Sequence, residues 1–397
     1  MKELFRSLVD QRIRDGIWAW RSRGDTSVIS AVTHDWLKRR YDPGSDADHL
    51  QATMTWLCAA QDALAEGGVS AFYDLRAGTW GSPYPETTGY ILPTFFDYAV
   101  FSGDDAYRTR AVRMANWLLT LQLPGGAFPI GPLWPDWERA PLVFDTGQII
   151  HGLVRVYEET QRDDFLASAR RAGKWLVEIQ DVDGAWRKFT SLGIVHTYNV
   201  RTAWGLLRLH QVDPDPQIRD AAIKNLAWAI QDQDLDGWFR NAHFSPGEPP
   251  LTHTIAYTIE GLLESGVMLQ DQQIIGAARR AADALCQRQN QDGFLRARYG
   301  PGWSSNVDWS CLTGDAQMAI LWQRLFQLSS DQGYLHAAKT ANTYIKQAQN
   351  RASRQPGVVG GLAGSRPIYA EYEPYRNLNW AAKFFADSLL LSINLEQ

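Results

Sequence analysis

Gln180-Asp181-Val182-Asp183-Gly184-Ala185-Trp186 closes a helical run, Ala169 to Ile179, and its reading decides how the chain is organised. The same grammar, Gln, three residues, Gly and then an aromatic two positions on, runs from Gln122 to Gly126 and Phe128 and from Gln233 to Gly237 and Phe239. Gln289 leads to Gly293 with Phe294 and Leu295, and Gln61 and Gln349 head looser copies. The Gln positions 61, 122, 180, 233, 289 and 349 are separated by 61, 58, 53, 56 and 60 residues. So even a recurrence marks a repeat protein, whose units bury one another. Five residues before each Gln stand Trp56, Trp117, Trp175, Trp228, Ala284 and Tyr344, and eleven before stand Leu50, Ala111, Ala169, Ala222, Ala278 and Ala338. Positions six apart do not share a line on an α-helix, so the small residue marks a close helix approach and the ring fills a second gap.

The repeat runs through most of the 397 residues without a Ser- or Pro-rich linker, which predicts one large domain. A hydrophobic content of 45% supplies a core of that size, and 17 Trp are more than packing calls for. The net charge of −5 comes with no basic run, which argues against a nucleic-acid surface and against an acidic-lipid surface. The first helix, MKELFRSLVDQRIRDG, is charged throughout and lacks an apolar signal region, and no stretch has the apolar length of a membrane span. Cys58, Cys286 and Cys311 have no C-x-x-C spacing and read as buried reduced thiols of a cytoplasmic protein.

Two amphipathic stretches, Glu3 to Arg23 and Thr26 to Tyr41, precede the first repeat, so residues 1–42 are expected to form a helical extension and 43–397 the repeat domain. Polar breaks at 102–105, 161–164 and 329–331 supply N-capping side chains for the helices that end at each Gln. Beyond each turn comes a variable loop and then a second helix, richer in apolar and small residues: Glu86 to Val100, Asp145 to Glu159, Asn199 to His210, Thr252 to Ser265, Leu312 to Leu328 and Leu378 to Leu395. The first helices carry charged faces and the second few charges, which separates outer from inner. Six helical hairpins of this kind predict an all-α fold, an (α/α)6 barrel, rather than an open solenoid with a polar capping repeat.

The Q-x-x-x-G-x-W/F turns resemble the QW motifs of squalene and hopene cyclases. The hairpin count is similar to that of the wider α/α-toroid group, which also holds prenyltransferase β-subunits, six-hairpin glycosidases, unsaturated glucuronyl hydrolases, polysaccharide lyases and sugar epimerases. The resemblance covers roughly residues 45–395 and implies a fold, not a chemistry. The D-x-D-D acid of the cyclases is absent, since Asp181-Val182-Asp183-Gly184 belongs to a turn. A prenyltransferase-like zinc site would need a His after Asp308-Trp309-Ser310-Cys311, and Tyr375-Arg376-Asn377-Leu378-Asn379 offers none; H-E-x-x-H is absent too, so no metal or cofactor is expected.

In a toroid the loops entering the inner helices meet at one mouth, where helix N-termini present free N–H groups. Glu86 and Asp145 begin two such helices. Either would serve as a first-turn acid on the helix dipole, or the two together as the acid and base of a glycosidase. His196, Tyr198 and His253 suit a second chemistry, removal and return of a uronate C5 proton, with Asn199 and Arg201 neutralising the carboxylate and Tyr257 beside them. Trp80, Trp134, Trp137, Trp303 and Trp309 would stack on sugar faces or pack their loops, and Asp308, Glu373, Tyr375, Arg376 and Asn377 complete the polar entrances. Glu260, one turn beyond Tyr257, reads as a buried structural partner. The expected ligand is a carbohydrate, and the favoured reading is glycoside hydrolysis. The alternatives are a uronate lyase or C5-epimerase, a terpenoid or prenyl cyclase, and a non-catalytic glycan-binding protein.

Overall fold

A computed structural model of the chain describes residues 14–21, 23–134 and 139–396. A short helix, α1 (Ser27–Trp36), precedes two alternating rings of helices. The outer ring is α2 (Asp46–Asp62), α4 (Ala106–Leu119), α6 (Asp163–Glu178), α8 (Pro216–Gln231), α10 (Gln272–Cys286) and α12 (Gln332–Lys346). The inner ring is α3 (Pro85–Ser102), α5 (Val143–Thr160), α7 (Val200–Val212), α9 (Thr252–Leu269), α11 (Leu312–Ser329) and α13 (Asn379–Glu396). Every inner helix starts within two residues of its expected position. The fold is the (α/α)6 toroid that the repeat predicts. Each inner helix packs on the outer helix that follows it, and α2, which follows none, packs on α13. Those inner-to-outer connections are short, and four of the five turn through left-handed backbone, at Gly103, Gln161, Gln270 and Ser330.

The repeated turn holds the outer ring together. Gln122 Nε2 donates to Gly126 O at 2.8 Å and to Ser168 O of the next outer helix at 2.9 Å. Gln180 does the same to Gly184 O and Ala221 O, and Gln233 to Gly237 O and Ala277 O. One amide thus satisfies its own turn and an outer carbonyl one repeat along. The glycine is required twice over: Gly184 has φ +90°, and a Cβ there would lie 2.4 Å from Lys224 O. Trp186 is buried against the same seam, its Nε1 donating to Leu176 O at 2.9 Å. Of the three polar breaks, 329–331 caps its outer helix as expected, Asp331 accepting from Gly333 N at 2.8 Å, whereas Asp105 and Arg162 at the starts of α4 and α6 make no side-chain cap bond; Asp271, outside those breaks, caps α10.

The ring closes through the looser copies. Gln349 Nε2 donates to Thr53 Oγ1 at 2.8 Å and its Oε1 lies 2.5 Å from His49 Nδ1, so the last repeat is bonded to the first outer helix. At the mouth, β1 (Phe72–Asp74) runs antiparallel to β2 (Thr79–Trp80) and, on its other side, to β5 (Arg376–Leu378), in the register Asp74 opposite Arg376. A second small sheet pairs β3 (Ser310–Cys311) with β4 (Ser365–Arg366). The segment before α2 lies on the loops of the last repeat: Asp35 accepts from Ile368 N at 2.6 Å and Tyr41 N donates to Gln347 O. The expected helix from Thr26 to Tyr41 stops earlier, at Trp36.

Candidate active site

Inner-helix N-termini and their loops enclose a cavity of about 500 Å³ at one mouth of the toroid. Its walls are aromatic (Trp134, Phe144, Tyr198, Phe244, Tyr372 and Trp380 among them), and Glu86, Asp145, His253 and Arg376 bring the ionisable groups. A more open hollow of about 890 Å³ lies on the outer flank among Arg108, Asn116, Trp117 and Arg139. It gathers no carboxyl pair, so the chemistry is sought at the mouth.

Glu86 and Asp145 come from the first turns of neighbouring inner helices, α3 and α5, which brings their carboxyls together. Asp145 Oδ2 accepts from Gly131 N at 3.0 Å, and Tyr84 lies beside Glu86 in the cavity wall. Both acids are buried. Burial pushes Glu86 up to about 7, while burial and then the charge of Glu86 raise Asp145 well above the ordinary range. Two dry carboxyls in contact cannot both ionise, so the pair retains a proton near neutrality.

His253 stands on α9, across the ring from α3. Its Nδ1 lies 2.7 Å from Gln317 Oε1, which makes Nδ1 the N–H and leaves the Nε2 lone pair toward the cavity. Burial lowers its pKa to about 4, so the imidazole is neutral. Tyr198 and Tyr257 are pushed the other way by burial and by the charge of Glu86. They remain hydrogen-bond donors, and Tyr198 is set against the role of base.

Under this layer Arg201 is enclosed by the rings of Tyr257 and Tyr90, 5.0 and 5.4 Å from its guanidinium carbon. Its Nε is 2.9 Å from Glu260 Oε2 and its Nη1 donates to Gln148 Oε1 at 2.8 Å. Glu260 is therefore the structural partner expected, and Arg201 is a floor residue rather than a free anion site. At the rim Arg376 donates to Glu373 Oε2 at 2.6 Å and lies 3.4 Å from Asp74 Oδ2.

The structure brings together Glu86, Asp145, Tyr198, His253, Tyr257, Trp134, Glu373 and Arg376 around one cavity. Other candidates lie elsewhere. His196 precedes a 3-10 turn, Thr197–Asn199, which delays α7 and leaves both ring nitrogens on carbonyls, Ser191 O at 2.8 Å and His243 O at 3.0 Å. It stacks on Tyr198 at 4.6 Å and supports that ring from behind. Asn199 is buried in the same turn. Trp80 packs between Trp56 and Tyr73, each 5.2 Å away, and lines an adjoining hollow that shares Trp134 with the cavity. Trp303 donates to Asp236 O, Trp309 is buried with Leu251, Ala297 and Cys311, and Asp308 is exposed. Asn377 donates to Gly357 O within β5, and Tyr375 lies under Arg76. Trp137 lies outside the described residues. Tyr84, Tyr90, Gln317 and Trp380 carry no role in the sequence reading. Tyr90 could have been found, since it follows Glu86 by one helical turn, but Gln317 has no local signal.

No protein-family model and no curated protein sequence matches the chain. Solved structures do. Cellobiose 2-epimerase from Bacillus thermoamylovorans B4167 superposes with a TM-score of 0.67 at 13% identity, over 92% of this chain and 99% of that one. An unsaturated glucuronyl hydrolase specific for heparin gives 0.67 at 17% identity, over 91% and 98%. A GH76 α-mannanase from Bacteroides thetaiotaomicron gives 0.63 at 15%, over 89% and 99%. The chain shares the (α/α)6 toroid fold of these structures.

Proposed function

We propose that this chain is a carbohydrate-active enzyme that hydrolyses a glycosidic bond, with the Glu86–Asp145 pair as its acid. The observation that carries this reading is a buried carboxyl pair, set on the first turns of two neighbouring inner helices under aromatic walls. The pair delivers its proton to the glycosidic oxygen as the C–O bond breaks. Because the two carboxyls touch, they cannot flank a sugar at the roughly 5–9.5 Å that separates the carboxyls of other glycosidases. They act as one unit from one side, and His253 Nε2 across the ring accepts the proton of the attacking water. Neighbours of the same fold act on sugars by their names, which agrees with this class. The buried or half-buried free thiols Cys58, Cys286 and Cys311 suit a cytoplasmic setting, and no described helix is long and apolar enough to cross a membrane.

Asp145→Asn keeps the shape and removes one of the two carboxyls that share the proton. Turnover of the responsive glycan should fall by about 10² or more with its affinity nearly intact, measured by steady-state kinetics and calorimetry. A full-rate variant would remove the pair from the mechanism.

The bare Nε2 of His253 favours a second reading, in which it takes a proton from a sugar carbon and the acid pair returns one on the other face. Turnover in deuterated water separates the two. Hydrolysis releases a reducing end and leaves the sugar C–H bonds unlabelled, whereas epimerisation places deuterium on carbon with every glycosidic bond intact.

A further inference from the structure

We infer that the cavity is built for neutral sugars and against uronates, a specificity that rests on the carbohydrate reading above. The inference starts from the cations. Among the described residues, Arg376 is the one cation that lines the cavity. It is already committed: Nη1 donates to Glu373 at 2.6 Å, Nε faces Asp74 at 3.4 Å, and the guanidinium covers the Phe72 ring with its carbon 4.0 Å from the centroid. The backbone fixes this arrangement. Asp74 is tied by the amides of Arg76 and Ala77 and sits opposite Arg376 in the β1–β5 register. Glu373 and Tyr375, on either side of Pro374, are held in left-handed backbone at φ +49° and +63°. Bonds from Tyr375 N to Ile368 O and from Leu75 N to Tyr375 O keep them there. Strain retained in this way marks a geometry that its surroundings enforce.

The deeper cations are equally engaged. Arg201 is bound by Glu260 and Gln148, and Lys383 Nζ lies 2.5 Å from Asp387 Oδ2. A sugar carboxylate entering the cavity would therefore meet Glu86, Asp145 and Glu373 with no unpaired cation to offset its desolvation. A neutral ring has no such cost. The hydroxyls of Tyr198 and Tyr372 can donate to it, the carboxyls can accept, and Trp134 and Trp380 offer faces for stacking.

The test uses gluco-, manno- and galacto-configured oligosaccharides in matched pairs that differ only at C6, hydroxymethyl or carboxylate, with binding and turnover measured on the full chain. The neutral member should bind at least tenfold better. Glu373→Gln releases Arg376 from one partner and should narrow that ratio several-fold by improving uronate binding. Equal or better binding of the uronates by the parent protein overturns the specificity and leaves the carbohydrate reading intact, whether or not the variant folds. So does a folded Glu373→Gln protein with an unchanged ratio. Failure of both members of every pair to bind or react overturns the carbohydrate reading together with the specificity built on it.

Discussion

The outer seam and the mouth of this toroid are made by opposite rules. Along the seam the same side chains meet the same partners repeat after repeat: Gln122, Gln180 and Gln233 each bond a turn carbonyl and the next outer helix. At the mouth the entrances share little beyond the first two, where Thr88 and Thr146 take equivalent bonds from Val69 N and Phe128 N. One brings Glu86, the next Asp145, the third a 3-10 turn and the fourth His253, and the last is strained at Glu373 and Tyr375. On the seam each of these amides finds both its carbonyls. At the mouth two carboxyls are pressed together in a dry site. Repetition builds the frame, and departure from it builds the site.

The comparison is broken most directly at Trp186. Removing a ring that is 1% exposed and bonded to Leu176 O should cost about 3–5 kcal/mol of stability, read from the denaturant midpoint. Turnover per folded molecule should be unchanged. A variant that is stable but inactive would make the seam part of the site.

Glu86→Gln tests the converse, that the mouth carries a stability cost. The folded protein keeps Glu86 neutral up to about 7, whereas the unfolded chain ionises it near its ordinary value of 4.5. Between those values the unfolded state has lost a proton that the folded state retains, so stability falls as pH rises through the window and levels above it. Gln does not titrate. Its stability relative to the parent should therefore grow from pH 4.5 to about 7, by up to about 3 kcal/mol at 1.36 kcal/mol per unit. Thermal midpoints at pH 4.5 and 7.5 decide it. A constant difference would mean that the acid is not held protonated.

The same contrast explains what the sequence disclosed. The Q-x-x-x-G turn is local chemistry, a left-handed Gly184 and an amide within a few residues of it, so the repeats and the six inner helices could be placed from sequence. Glu86 and Asp145 were legible for a related reason, since first-turn acids mark helix starts. The partners that give these acids their character come from across the ring. Nothing near Gln317 in sequence says that its amide meets His253, 64 residues away. His196 and Asn199 were misplaced because a single 3-10 turn rotated their entrance, and Trp303 and Trp309 because the loop around β3 folds them into its own packing. Distance in sequence, more than residue type, set the limit.

The smallest effect, and the finest test of the mouth, lies at Gln317. Its Oε1 accepts from His253 Nδ1 and so directs the lone pair of Nε2 into the cavity. Gln317→Leu fills similar space and removes the acceptor. The imidazole stays neutral, because burial is the main cause of its lowered pKa and the lost bond had been raising it. What changes is the tautomer, from one species to a mixture, since Nδ1–H no longer gains a partner. A base present only part of the time lowers kcat by that fraction, on the order of a few-fold, with KM little altered. Ring 15N shifts of His253 should move from the Nδ1–H pattern toward an average of the two tautomers. If the shifts average while kcat is unchanged, His253 is not the base in either reading. If neither moves, the side chain of Gln317 does not hold the ring.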